Sequence, residues 1–120
     1  MIVLDYRDKR PIYEQVVEKF KLLILKGVLT RDEKMPSVRS LAMELSINPN
    51  TIQRAYAQLE EQGYIYTVKG RGNFVSDRSQ LLTDYKEEIR TRLQEVCKLA
   101  ASVGMDKEEF VDLIGDWRSL

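Results

Sequence analysis

The sequence contains no histidine, so it lacks the imidazole on which much acid–base catalysis and metal binding depend. It also contains no P-loop and no Cys-x-x-Cys pair. Adjacent carboxylates occur at Glu87-Glu88 and Glu108-Glu109, but both pairs lie on polar faces of predicted helices, where solvation is the ordinary explanation. The sequence therefore argues against an enzyme, and it predicts neither a cofactor nor a metal site.

Cysteine and long apolar runs are also scarce. Cys97 is the single cysteine, so it cannot form an internal disulfide, which is compatible with a reducing cytoplasm. No apolar run approaches the roughly 20 residues that a membrane-spanning helix needs. Residues 1–10 mix acids with bases around no long apolar core, unlike a signal peptide. With 43% hydrophobic and 32% charged residues, we expect a folded cytoplasmic protein without membrane contact.

The net charge is zero, but the charges are unevenly distributed along the chain. Residues 1–75 carry 12 Lys and Arg against 9 Asp and Glu, whereas residues 76–120 carry 7 against 10. The first part is therefore modestly basic and the second modestly acidic. An anionic partner of the first part would have to be recognised by locally placed cations rather than by bulk charge.

Three helical patterns precede a glycine-rich turn. Pro11 suits the first turn of a helix over residues 11–26, which Gly27 would end. Ser37 is a candidate N-cap for a second helix, and a turn at Ser46-Ile47-Asn48 leads to a third. Asn48 is its candidate N-cap and Pro49 its first residue. The pattern buries Ile52, Ala55, Tyr56 and Leu59, and leaves Asn50, Thr51, Gln53 and Arg54 facing largely outward.

A β-ribbon is predicted after the third helix. Tyr64 to Val68 is rich in β-formers, Gly70 and Gly72 permit a tight turn, and Asn73-Phe74-Val75 returns. Lys69 and Arg71 are placed at the tip. The order of parts is that of a winged helix-turn-helix, in which one helix enters a DNA major groove and a basic hairpin lies beside it.

The character of the chain changes near residue 77. Leu82, Ile89, Val96 and Val103 are spaced seven apart in a helical pattern, and Leu93 widens the apolar stripe. Asp106 and Glu109 resemble a capping box at the start of a last helix. Its predicted apolar face contains Phe110, Leu113, Ile114 and Trp117. The predicted fold is mainly α with a small β-wing: a winged helix-turn-helix at 1–76 and a two-helix dimerisation segment at 77–120.

Several motifs in fixed order resemble the GntR family of bacterial transcription regulators. They are Pro11-Ile12-Tyr13-Glu14-Gln15, Pro36-Ser37-Val38-Arg39-x-Leu41-Ala42, Asn48-Pro49-Asn50-Thr51-Ile52, Arg54-Ala55-Tyr56-x-x-Leu59, Gly63 and Gly70-Arg71-Gly72-x-Phe74-Val75. The resemblance covers about residues 9–76. The short helical remainder resembles the YtrA subfamily, whose tail serves dimerisation. The resemblance implies a homodimer that binds an inverted repeat in double-stranded DNA, usually as a repressor.

The resemblance also implies which residues contact DNA. Arg39 would contact DNA at or near a guanine, and the wing would reach phosphates and the minor groove. Asn48 is either a cap alone or a cap that also touches DNA, and Ser37 is first a cap and second a phosphate ligand. The full predicted DNA-binding set is Ser37, Arg39, Asn48, Asn50, Thr51, Gln53, Arg54, Lys69, Gly70, Arg71 and Gly72.

Alternatives remain for the tail and for the function. The apolar stripe could be an intramolecular core, but a lone two-helix segment buries little surface, so a dimer interface is favoured. The predicted dimer residues are Leu82, Ile89, Leu93, Val96, Phe110, Ile114 and Trp117. Cys97 is interpreted as an inert, partly buried residue. A regulator with a small-molecule effector cleft in the C-terminal helices is the first alternative, and an adaptor that has lost DNA binding is the second.

Overall fold

A computed structural model describes residues 2–119, which form five α-helices, a two-stranded antiparallel ribbon and a final 3-10 turn. The elements are α1 (Ile12–Leu25), α2 (Val38–Leu45), α3 (Pro49–Glu61), β1 (Ile65–Val68), β2 (Gly72–Val75), α4 (Ser79–Ser102) and α5 (Lys107–Gly115), followed by the turn Trp117–Ser119. The chain divides into two compact units, Met1–Leu82 and Thr83–Leu120. The predicted mainly helical fold with a small β-wing is confirmed.

The first helix supplies one wall of the core of the first unit. Its buried apolar residues recur at helical spacing and include Val16, Phe20 and Ile24. Pro11 was predicted in the first turn but lies at the N-cap, with φ −53° and ψ 147°. The helix ends as predicted before Gly27, whose φ of +75° is a left-handed conformation that glycine adopts without strain.

A buried glutamine fastens the segment that precedes α1. Gln15 is only 1% exposed, and its carboxamide bonds the main chain of Asp5 in both directions. The Asp5 N–H donates to Oε1 at 3.0 Å, and Nε2 donates to the Asp5 carbonyl oxygen at 3.0 Å. Because a buried amide must be paired, this exchange fixes the chain at Asp5 against the first helix.

The turn between α2 and α3 is built as the sequence predicted. The Ser37 hydroxyl accepts from the Ser40 N–H at 3.0 Å, which caps α2. Ser46 ends α2 in the left-handed conformation, with φ 54° and ψ 46°. Asn48 then caps α3, with Pro49 at its first position. The predicted inward residues of α3 are all buried: Ile52, Ala55, Tyr56 and Leu59.

The ribbon pairs β1 with β2 from Ile65 opposite Val75 to Val68 opposite Gly72. A segment that the sequence left unassigned runs along the other edge of β2. The Asp32 and Met35 N–H groups donate to the carbonyl oxygens of Val75 and Asn73, both at 2.8 Å. This segment supports the ribbon from its second side, so the wing is not an isolated hairpin.

The second unit leaves most of its apolar side chains exposed. Among the described residues of this unit, Ala100 alone is buried. Three predictions for the tail are wrong. Trp117 lies in the 3-10 turn beyond α5, and Cys97 is exposed rather than partly buried. The Asp106 side chain makes no capping hydrogen bond; the Glu109 N–H donates to the Asp106 carbonyl oxygen instead, at 3.1 Å. Between residues 2 and 119, no helix combines the length and apolarity required to cross a bilayer.

Candidate nucleic-acid interface

The first half of α3 presents a polar surface beside the α2–α3 turn. Asn50, Gln53 and Arg54 are exposed as predicted, whereas Thr51 is half-buried. Asn50 and Arg54 are four residues apart and therefore lie on the same side of the helix, opposite the buried row through Ile52. The helix thus turns amide and guanidinium donors toward solvent at the end that a recognition helix inserts into a groove.

The two cap residues have their side-chain oxygens committed to the backbone. Asn48 Oδ1 accepts from the Asn50 N–H at 2.8 Å, and Ser37 Oγ accepts from Ser40. Both caps are exposed. Asn48 keeps its Nδ2 donors unpaired among residues 2–119, so the cap leaves an outward-facing amide group that can donate to an acceptor.

The Lys and Arg side chains of the first unit differ in whether a nearby Asp or Glu neutralises them. Arg10 bonds Asp8 at 2.7 Å, which lowers the pKa of that carboxyl, and Arg31 lies 3.5 Å from Asp77. By contrast, Arg39 in α2 is exposed, and its side chain has neither an ion pair nor a hydrogen bond within the described chain. The side chains of Lys69 and Arg71 at the wing tip are likewise exposed and unpaired among residues 2–119. These three side chains keep their full donor capacity for an anionic partner.

The wing tip is shaped by two glycines with positive φ. Gly70 has φ +78°, and nothing lies within 4 Å of the position that a Cβ would occupy. Gly72 has φ +115°, and a Cβ there would come within 3.2 Å of Lys34 Cε. The tip therefore leaves open space above its backbone at Gly70, as a close approach to a phosphate requires, whereas the Lys34 side chain occupies that space at Gly72.

Lys34 was missed by the sequence analysis. It forms an isolated antiparallel bridge with Phe74, and its side chain passes beside Gly72. The only sequence signal was a basic residue in a loop just before Met35, because the strand-like contacts of this segment are made with a partner forty residues away. Lys34 adds a third cation to the side of the wing.

Aromatic residues hold the wing rather than face a ligand. The Tyr66 hydroxyl donates to Asp32 Oδ1 at 2.6 Å, and this bond raises the pKa of Tyr66. The Tyr66 ring stacks on Phe74 with centroids 5.7 Å apart. Tyr56 and Tyr64 are buried, and Phe74 is half-buried, so these three rings pack in the protein rather than stack on bases.

The apolar residues predicted for dimerisation are substantially exposed in the single chain. Ile89 is 49% exposed, Leu93 50% and Trp117 64%. Val96 and Ile114 are similarly exposed, and Leu82 and Phe110 are half-buried. The second unit also contains a cleft of about 300 Å³. Its lining is mainly apolar and comprises Cys97, Ala100, Ala101, Met105, Lys107 and Phe110.

Comparisons with known proteins agree with this geometry. The family model described as "Bacterial regulatory proteins, gntR family" matches residues 12–75. The HTH-type transcriptional repressor YtrA of Bacillus subtilis is 37% identical over 116 residues, which is 95% of this chain and 89% of that protein.

Two solved structures illustrate the likeness. A Listeria monocytogenes EGD-e protein described as a transcriptional antiterminator superposes with a TM-score of 0.76 at 37% identity, covering 98% of this chain and 90% of that one. The DNA-binding domain of AraR, in complex with operator ORE1, has a TM-score of 0.54 at 32% identity, covering 62% and 90%. The chain therefore belongs to the GntR family of bacterial regulatory proteins, as a DNA-binding transcription regulator of the YtrA type.

Proposed function

We propose that the protein is a cytoplasmic homodimeric repressor that binds an inverted-repeat operator in double-stranded DNA. One observation carries the proposal. The helix-turn-helix and the wing tip expose cations that no acid of the described chain neutralises, together with amide groups that are free to donate hydrogen bonds. In this proposal residues 1–76 bind DNA and residues 77–120 pair the protomers. The repressor YtrA and the operator complex of AraR support it by analogy.

Sequence choice would come from Arg39 and from the polar start of α3. Arginine bonds guanine O6 and N7 together, and the amides of Asn48, Asn50 and Gln53 match adenine edges. Thr51 fits a phosphate or a thymine methyl group. Affinity would come mainly from phosphates, which Ser37, Lys69, Arg71 and the open backbone at Gly70 can approach, with Lys34 lying beside Gly72.

Pairing of the tails would set the spacing of the two recognition helices. The exposed apolar set defined above is too large to leave in water on a stable monomer, and burying it between protomers removes that cost. Two recognition helices would then enter successive major grooves, roughly one helical turn apart. Dyad symmetry of the protein would be matched by dyad symmetry of the operator.

The test is fluorescence anisotropy with DNA selected from a random pool, a scrambled duplex and an RNA duplex, at two salt concentrations. We expect saturable binding to an inverted repeat at two protomers per site, weakened by salt. The RNA duplex serves as a control because a helix does not fit its deep, narrow major groove. Equal weak binding to both DNA duplexes, or preference for the RNA, would contradict the proposal.

The cleft beside Cys97 and Phe110 supports a second candidate, a repressor released by a small apolar effector. Lys107 in its lining would favour an acidic group on such a molecule. A thermal-shift screen of apolar acids separates the two candidates, since a ligand that prefers the native state raises the unfolding temperature. Release of operator DNA by the same compound is required for the effector role.

A further inference from the structure

Arg54 of the recognition helix is held by an aromatic ring of another helix. Its guanidinium carbon lies 3.8 Å from the centroid of the Tyr13 ring, in the first turn of α1. A cation over an aromatic face at this distance is attracted by the ring quadrupole. Tyr13 is half-buried and Arg54 is exposed, so a partly buried ring supports a side chain that faces solvent.

The contact with the ring orients Arg54 without using its hydrogen-bond donors. A cation–π contact is an electrostatic attraction to the ring face and needs no conventional acceptor, so the five guanidinium N–H groups stay available. Within residues 2–119, the Arg54 side chain has neither a hydrogen bond nor an ion pair. The contact therefore removes rotational freedom from the side chain before any partner arrives, which lowers the entropy lost on binding.

The surroundings of Tyr13 make it a rigid support. Its hydroxyl donates to Glu14 Oε1 at 3.3 Å. Two residues later, the buried Gln15 fastens the preceding segment at Asp5. The first helix also meets the third through the Phe20 and Tyr56 rings, whose centroids are 6.0 Å apart at 87°. The ring thus moves with the core rather than with a loop.

The position of Arg54 on α3 indicates which part of a DNA duplex its side chain would contact. Gln58, one turn after Arg54, lines a groove between α3 and α1, so Arg54 lies at the edge of the exposed face nearest α1. Side chains on the flank of a helix in the major groove face the sugar-phosphate strand rather than the base edges.

We propose that Tyr13 is a positioning residue for DNA binding, which holds the Arg54 guanidinium ready for a backbone phosphate at the groove edge. This inference rests on the proposed function, since it assumes that α3 enters DNA. It assigns a role in recognition to a residue of the first helix that does not itself belong to the helix-turn-helix.

A double-mutant cycle tests the coupling. We expect Tyr13→Leu to weaken binding by about three- to tenfold on both operator and scrambled DNA, and Tyr13→Phe, the matched control, to stay within about twofold. Arg54→Ala should lower the salt slope by about one, as the loss of one phosphate contact predicts. In the Arg54→Ala background, Tyr13→Leu should add nothing further.

The readouts separate a positioning role from a purely structural one. Unfolding temperatures of all variants are measured beside the affinities. In the free wild-type protein, the Nε proton of Arg54 should show a ring-current shift that disappears in Tyr13→Leu. The wild-type shift reports the contact by itself, so it remains informative even where that variant folds poorly. Additive losses in the cycle, or an unshifted Arg54 signal, would overturn the inference.

The outcome also distinguishes this inference from the proposed function. A phosphate contact acts on any duplex, so the coupling between Tyr13 and Arg54 is measurable on scrambled DNA. Coupling without preference for an inverted repeat would contradict the operator proposal and leave the inference standing. Preference for the operator without coupling would do the reverse.

Discussion

The Tyr56 hydroxyl donates a hydrogen bond of 2.7 Å to the carbonyl oxygen of Pro36, twenty residues earlier in the chain. Tyr56 belongs to α3, and Pro36 immediately precedes Ser37, the cap of α2. The same ring meets Phe20 of α1 edge to face. One side chain therefore ties the recognition helix to both of the helices that support it.

Replacing Tyr56 with Phe should lower the free energy of unfolding by about 1–2 kcal/mol, because the Pro36 carbonyl loses its partner in a partly buried setting. Urea denaturation measures the loss. Tyr6→Phe removes a hydroxyl from an exposed ring and should leave stability unchanged. Equal stability of the two variants would show that the bond contributes nothing.

The same phenol should make stability fall at alkaline pH. Burial raises the pKa of Tyr56, whereas tyrosine in an unfolded chain ionises near about 10. The folded state then holds a proton that the unfolded state releases, so the contribution is complete below about pH 10 and is lost as pH rises further. Denaturation curves from about pH 8 to 11 should show a smaller decline for Tyr56→Phe than for the wild type. Parallel declines would contradict this assignment.

Asn48→Ser separates the capping role of Asn48 from contact with DNA. Serine caps a helix about as well as asparagine, so stability should change by less than about 0.5 kcal/mol. The amide donors are removed, and operator affinity should fall by about three- to tenfold if they reach DNA, as one lost hydrogen bond predicts. Anisotropy and thermal unfolding are measured together. Unchanged affinity would leave Asn48 as a cap only.

We expect Arg39→Ala and Lys69→Ala to weaken DNA binding in different ways. Loss of a base-reading arginine should cost about 1–3 kcal/mol on the operator and much less on scrambled DNA. Loss of the wing lysine should weaken both duplexes alike and reduce the salt slope by about one. Titrations on both duplexes at several salt concentrations make the comparison. Equal losses for Arg39→Ala on the two duplexes would exclude its role in base reading.

Leu93→Glu should dissociate the proposed dimer, since a carboxylate in an apolar interface is left without a partner. Gln94→Glu, at the next position and outside the apolar stripe, is the matched control. Sedimentation equilibrium should give a monomer for the first and a dimer for the second, with operator binding lost only in the first. A dimeric Leu93→Glu variant would place the interface elsewhere.

Much of the first unit was predictable because its signals are local. The caps Ser37 and Asn48 and the stop at Gly27 act within a few residues of themselves, and the structure places each as predicted. The support of the wing by Asp32 and Lys34 was not predictable, because their partners are about forty residues away. The contact of Arg54 with the Tyr13 ring was not predictable for the same reason.

In the tail, local patterns gave both correct and wrong results. Periodicity predicted α4 and α5, since an apolar repeat reports helical spacing directly. It extended α5 to Trp117, although the helix ends at Gly115 and Trp117 continues the spacing only in a 3-10 turn. The exposure of Cys97 could not be read from its position beside Val96, because burial there depends on what covers the stripe.

The tail buries Ala100 alone among its described residues. In the proposed dimer, its apolar surface is therefore covered only when two chains pair. If only paired chains bind an operator, the concentration of the DNA-binding dimer grows with the square of the protomer concentration while pairing is weak. Halving synthesis would then cut occupancy by more than half, and a modest rise in copy number would restore it steeply. Such a repressor responds to its own abundance, so the strength of its promoter is as much a part of the switch as the protein.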